Sequence, residues 1–223
     1  MSSKFFTVRA VLFDLDGVLV NSRAPVERQW RIWAREHNHD EEELLKVAHG
    51  HRSIETIQHF APELDLKAEA AEMERREIED TDGLELMPGA KELLHSLPAS
   101  RWAIATSGGR ALATSRLRYA GLPVPRVLIT ADDVKRGKPD PEPYLAAAAG
   151  LGFAPPDCIV IEDAPYGIDA ARGGGMPAIA VAGTYPIEQL RGAEFLVRNV
   201  SEIRAEFDGE RVALRCQSDL STR

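Results

Sequence analysis

Cysteine is scarce: the 223-residue chain has two, Cys158 and Cys216, far apart in sequence. Their spacing builds neither a metal site nor a redox pair, and Cys158 lies in the apolar run CIVI as a small hydrophobe. A reducing cytoplasm is the expected compartment. No stretch approaches the roughly 18 apolar residues of a membrane helix; VRAVLF is interrupted by Arg9 and stopped by Asp14, so no membrane partner is expected. MSSKFFTVRA lacks an apolar h-region, so no signal peptide is expected. Basic excess is also absent. Lys and Arg number 27 against 35 Asp and Glu, a formal net charge of −8, which leaves no stripe to grip a phosphate backbone and excludes nucleic acid as a general partner. No G-x-x-x-x-G-K-[ST] occurs, which removes P-loop chemistry. There is no internal repeat, no low-complexity segment and no long exposed heptad, so a monomer is expected.

What is present is an ordinary globular composition, 44% hydrophobic and 28% charged. A chain this long buries roughly 70% of its unfolded surface and needs no metal or disulfide to fold. VRAVLF, WAIA and CIVI read as buried parallel strands, with weaker ones at VLIT (127–130) and AIAVA (178–182). Helical patterns PGAKELLHSL, ALATSRLRYA and EPYLAAAA lie between them. This alternation predicts an α/β fold, a Rossmann-like doubly wound parallel sheet. Residues 21–85 break the rhythm. They hold 9 basic and 17 acidic residues, while the rest of the chain is neutral. Their candidate helices are VERQWRIWAREH, EEELLKVA, SIETIQHF and LKAEAAEMERREIED. The expected division is a catalytic core of 1–20 and 86–223 with an inserted all-helical cap of 21–85. IRAEFDGERVALRC reads as a hairpin around Asp208-Gly209, or as a short helix at EIRAEF.

Four positions carry chemistry. Asp14 and Asp16 flank Leu15 where the first strand ends, the place where open α/β sheets bind ligands. Two carboxylates there can hold a divalent cation, or one can attack while the other moves a proton; a turn or helix cap also suits the pair. Thr106-Ser107-Gly108-Gly109 opens a helix after the second strand, which suits either a phosphate or a plain cap. Lys138 sits in the proline-pinned loop GKPDPEP, either as a fixed cation or as a surface lysine. Glu162 and Asp163 end the CIVI strand; adjacent acids there repel unless a cation lies between them, although one inward cap and one solvated acid would also serve.

Together and in this order, FDLDGVLVNS, ATSGG, KRGKPDPEPY and VIEDAPYGIDAA resemble the four signatures of the haloacid dehalogenase-like hydrolase superfamily. The helical insertion resembles its small helical cap subclass. HGHRSIETIQHFAP, RWAIATSGG, ITADDVKRGKPDPEPYL and EDAPYGIDAARGGGMPAIAV resemble its sugar and polyol phosphatases, among them the glycerol, 2-deoxyglucose-6-phosphate and hexitol phosphatase groups. The resemblance implies that Asp14 attacks phosphorus to form an aspartyl phosphate. It implies that Asp16 protonates the leaving alkoxide and then deprotonates water. Ser107, Gly108 and nearby N–H groups would hold the phosphoryl oxygens, and Lys138 would neutralise them. Mg²⁺ would bind Asp14, the Asp16 backbone carbonyl and Asp163, with Glu162 in direct or water-mediated support. Asn21 departs from the Asp common at that hinge position, outside the catalytic set.

Five of six histidines fall in the cap, His37, His39, His49, His51 and His59, at no zinc-motif spacing. By resemblance His49-Gly50-His51-Arg52 is a specificity loop, with His49 and Arg52 reaching substrate hydroxyls or phosphate; a solvated cap at Ser53 with polar neighbours is the alternative. Trp30 and Trp33 share a helix face and read as packing. The function implied is a Mg²⁺-dependent phosphoric monoester hydrolase of small phosphorylated sugars or polyols. A β-phosphoglucomutase-type phosphomutase shares cap and signatures. Asp16 argues against dehalogenase chemistry, and no cap lysine stands in a context for phosphonate hydrolysis. The intact set of acids and lysine argues against a catalytically silent binding protein.

Overall fold

The computed structural model describes residues 2–48 and 50–220. The chain opens with β1 (Ser2–Val8), β2 (Ala10–Phe13) and the two-residue β3 (Val20–Asn21). Four helices follow: α1 (Arg23–Glu36), α2 (Glu41–Ala48), α3 (Ser53–Phe60) and α4 (Leu66–Glu79). Then β4 (Glu85–Leu86) pairs back onto β3. Next come α5 (Ala90–Ser96), β5 (Trp102–Ala105), α6 (Arg110–Tyr119), β6 (Leu128–Ile129) and α7 (Glu142–Leu151). They are followed by β7 (Cys158–Glu162), α8 (Pro165–Gly173), β8 (Ala178–Val181) and β9 (Phe195–Val197). The hairpin β10 (Ile203–Phe207) and β11 (Val212–Ser218) completes the described chain.

Six strands form one parallel sheet in the order β6-β5-β2-β7-β8-β9. This is the doubly wound fold expected from the apolar runs. The residues of β2, β5, β7 and β8 are buried throughout, as strands covered on both faces must be. Alternation along each strand sends side chains to opposite faces. Phe13, Trp102, Ile104 and Ile161 pack with Leu94 and Leu117 on one side. Ala103, Ala105, Ala178 and Ala180 pack with Tyr144 and Ala147 on the other. The second face is rich in alanine beside Leu12 and Val160, and α7 packs its own AAAA run against it.

VRAVLF is not one strand. Arg9 breaks it: Val8 pairs with Val212 in the antiparallel sheet β1-β11-β10, whereas Ala10 pairs with Cys158 in the parallel one. The Arg9 backbone N–H donates to Asp157 O at 2.7 Å and its guanidinium lies 4.8 Å from the Phe153 ring centroid, so the kink is held from both ends. VLIT shrinks to Leu128–Ile129. At the C-terminal turn the hairpin forms rather than a helix, with Asp208 Oδ1 accepting from the N–H groups of Glu210 and Arg211 at 2.8 and 2.7 Å.

Helices α1–α4 enclose a hydrophobic cluster of their own, including Trp30, Trp33, Leu44, Ile57 and Met73. Trp30 and Trp33 meet edge to face at 5.9 Å, and Trp33 Nε1 donates to Glu69 at 2.9 Å. Among the described residues no helix is long and apolar enough to cross a membrane.

Candidate active site

Asp14 lies one residue past β2, and its N–H still bonds Ile161 O at 2.9 Å, extending the ladder to β7. Thr106 occupies the matching place past β5, and Glu162 and Asp163 stand at the end of β7. All therefore reach the carboxyl edge of three adjacent strands, and with Lys138, from the loop before α7, they meet at one place. Lys138 Nζ donates to Asp14 Oδ1 at 2.5 Å and to Glu162 Oε1 at 2.6 Å, and its side chain is almost fully buried. Lys138 is therefore a fixed buried cation and not a surface lysine. Tyr144 of α7 completes the clamp: its hydroxyl donates to Glu162 Oε1 at 3.0 Å and its ring lies 4.9 Å from Nζ.

Asp14, Glu162 and Asp163 bring one ligand oxygen each within 4.8 Å of one another, and all three residues are buried. Burial pushes the Asp14 carboxyl up to about 7; Glu162 and Asp16 add to the rise and Lys138 opposes it. Burial also drives Asp163 far up, with Glu162 and Asp14 adding to it. Asp14 and Glu162 outweigh the burial of Lys138 and keep it charged. Three buried carboxylates thus share one ammonium, an imbalance that a divalent cation offsets. The donors are all oxygens, which suits a hard cation. Hydrogen bonds engage both oxygens of Glu162: Lys138 and Tyr144 on Oε1, and the N–H groups of Asp163 and Ala164 on Oε2. By contrast, Lys138 engages Oδ1 of Asp14, and the Thr184 hydroxyl engages Oδ2 of Asp163. Gly17, with φ +76°, lets the loop pass Asp163; a Cβ there would overlap the Asp163 carboxylate.

The acids floor a cavity of about 320 Å³, a size suited to a small ligand. Asp16, Ser107, Gly108, His51 and Trp30 also line it. Asp16 is held by Ser22 Oγ at 2.6 Å and by Arg116 Nη1 at 2.8 Å. Ser107 Oγ donates to Gly50 O, in the turn between α2 and α3, at 2.9 Å. Arg52 is outside the lining: its guanidinium grips Glu55 at 2.5 Å and reaches Val134 O at 3.5 Å. His49 lies outside the described residues.

A family model described as a haloacid dehalogenase-like hydrolase matches residues 8–175. The chain belongs to that family. Two relatives within this range of similarity are hexitol phosphatase A of Escherichia coli (strain K12), 41% identical over 200 residues covering 87% of this chain and 93% of that protein, and glycerol-1-phosphate phosphohydrolase 2 of Saccharomyces cerevisiae, 36% identical over 212 residues covering 88% and 84%. The CbbY protein of Rhodobacter sphaeroides, solved with phosphate, shares the fold at TM-score 0.77 and 24% identity over 87% of this chain and 96% of that one.

For a haloacid dehalogenase-like hydrolase, several neighbours of the site escape a motif search. Tyr144, Thr184, Arg116 and Glu77 all touch the acids or one another. Arg116 and Glu77 did leave a signal. Each is a charge on the buried stripe of its helix: Arg116 beside Leu112, Ala113 and Leu117, and Glu77 one turn after Met73.

Proposed function

We propose that this chain is a Mg²⁺-dependent phosphatase of small phosphorylated sugars or polyols, with a core of 1–20 and 86–223 and a cap of 21–85. The observation that carries it is the meeting of Asp14, Lys138, Glu162 and Asp163 at the floor of one cavity roofed by α1 and the α2–α3 turn. The phosphatase names of the two relatives support the substrate class.

Asp14 attacks phosphorus through one carboxylate oxygen, and the ester oxygen leaves in line, giving an aspartyl phosphate and an alkoxide. Asp16 protonates that alkoxide, then takes a proton from the water that cleaves the acyl phosphate. Lys138 holds Asp14 in place and neutralises an equatorial oxygen. Ser107, Gly108 and the Thr106 hydroxyl at the end of β5 supply donors to the remaining oxygens. Asp14, the Asp16 carbonyl and Asp163 would hold Mg²⁺, and Glu162, its oxygens already engaged, would orient Lys138 and the 162–164 backbone. The cation's chemistry is to offset the repulsion between carboxylate and phosphate dianion; one pair of unit charges about 4 Å apart is worth roughly 4 kcal/mol at an effective dielectric near 20. His49 is proposed to reach the substrate from the cap, and Arg52 would join it on leaving Glu55 and Val134 O, its partners in this structure. The working state proposed is a cytoplasmic monomer; its two cysteines are buried and free.

A panel of hexose, hexitol and glycerol phosphates, assayed both for inorganic phosphate and for isomeric sugar phosphate, tests this. Phosphate released in step with free alcohol is expected. Isomerisation without net phosphate release would instead assign a phosphomutase.

A further inference from the structure

A second charged chain runs from the cavity into the cap and is separate from the cation site. Arg116 lies on the buried face of α6, its side chain 6% exposed. Its Nη1 donates to Asp16 Oδ2 at 2.8 Å, and its Nη2 donates to Glu77 Oε2, on α4, at 2.6 Å. The Glu77 side chain is 5% exposed. Glu74, three residues earlier and so on the same face of α4, accepts from the Leu112 N–H in the first turn of α6 at 3.2 Å. Gly109 makes that approach possible, because a Cβ there would overlap the Glu74 carboxylate. One cap helix is therefore docked along α6 through two acids, and the second is tied by a single guanidinium to Asp16.

We propose that Arg116 is a positioning residue that holds Asp16 for proton transfer, and that Glu77 makes this hold depend on the docked cap. The inference rests on the phosphatase function and on the role of Asp16 in it. The two oxygens of Asp16 are held differently. Oδ1 bonds a rotatable hydroxyl, Ser22 Oγ, which exchanges readily for a leaving-group oxygen or water. Oδ2 is fixed by a charge-assisted bond from a planar guanidinium that is itself immobilised in the core. Anchoring Oδ2 leaves Oδ1 as the proton-transferring oxygen. A lysine at 116 has one nitrogen where the fork has two, so it cannot serve Asp16 and Glu77 in the same geometry. Without Glu77 the guanidinium loses its second anchor, and the anchor lost is the one carried by the cap.

The test is the dependence of kcat/KM on leaving-group acidity across substituted phenyl phosphates, which report leaving-group departure and carry no sugar hydroxyls. Three proteins are compared: wild type, Arg116→Lys and Glu77→Gln. A thermal melt confirms that each folds; Arg116→Ala is avoided because it strands two carboxylates. Phenyl phosphate needs a proton on its leaving oxygen and p-nitrophenyl phosphate needs little help. Arg116→Lys should lower kcat/KM for phenyl phosphate about 10- to 100-fold, with p-nitrophenyl phosphate within about 3-fold, a part of the usual acid–base contribution. Glu77→Gln should steepen the dependence in the same direction by a smaller factor. In an Asp16→Asn background, Arg116→Lys should cost nothing further on phenyl phosphate. An equal loss on every phenyl ester would make Arg116 merely structural and overturn the proposal. A loss on sugar phosphates alone would make it a substrate contact and also overturn it. If wild type releases phosphate neither from these esters nor from any hexose, hexitol or glycerol phosphate, the phosphatase function itself fails; if wild type is active and the dependence is unchanged, this inference alone fails.

Discussion

Asp14 and Lys138 are 124 positions apart in the chain, yet Lys138 Nζ lies 2.5 Å from Asp14 Oδ1. The lysine also spans to Glu162, so a single buried cation ties the end of β2 to the end of β7. It is outnumbered by carboxylates, and that imbalance gives the site a pH signature.

The Asp14 carboxyl is raised from its ordinary 3.8 to about 7 without a cation. Between those values the unfolded chain has lost its proton and the folded chain keeps it. Through Asp14 the metal-free fold therefore loses stability as pH rises from about 4 to about 7, and Asp163, also driven up by burial, adds loss in the same direction. Mg²⁺ binds the ionised acids, so its stabilising effect should grow over the same window. Melting curves in EDTA and in Mg²⁺ should differ by several degrees at pH 8 and converge near pH 5. In EDTA at pH 8, Asp14→Asn should melt above wild type and gain less from Mg²⁺. A Mg²⁺ effect independent of pH would count against the cation site.

Asp16→Asn keeps the shape of the side chain but cannot transfer the proton. Turnover of a polyol phosphate should fall about 10²- to 10⁴-fold. KM should stay within a few-fold, because Asp16 is assigned no share of ground-state binding. Steady-state kinetics decide this, and unaltered turnover would remove Asp16 from the mechanism.

Arg52 links α3 to the core through Glu55 and the Val134 carbonyl in this structure. Arg52→Ala should raise KM for sugar phosphates and spare p-nitrophenyl phosphate, which carries no sugar hydroxyls for Arg52 to recognise. Equal losses on both substrates would argue against a role in specificity.

The parallel sheet was legible because its strands are buried on both faces and carry no polar alternation, as WAIA and CIVI show. Asp14, Lys138 and Asp163 were legible because strand ends and a proline-pinned loop present them. The first strand was misread at Arg9, since a charged residue inside an apolar run marks a change of sheet as readily as a solvated position, and the pairing that decides it lies at Val212. Arg116 and Glu77 are visible in sequence only as charges on apolar stripes; their partner across the interface is set by how α4 docks on α6. Tyr144 read as one more helix residue, because its target, Glu162, comes from a strand 18 positions later.

In the proposed mechanism Asp14 forms a covalent bond to phosphorus. Rapid acid quench of the enzyme with a ³²P-labelled polyol phosphate, followed by peptide mapping, measures it directly. A hydroxylamine-labile phosphoryl group is expected on the peptide containing Asp14 and absent from Asp14→Asn, whose turnover should fall by about 10³-fold or more with its fold intact. Label on another residue, or near-normal phosphate release by Asp14→Asn, would contradict it.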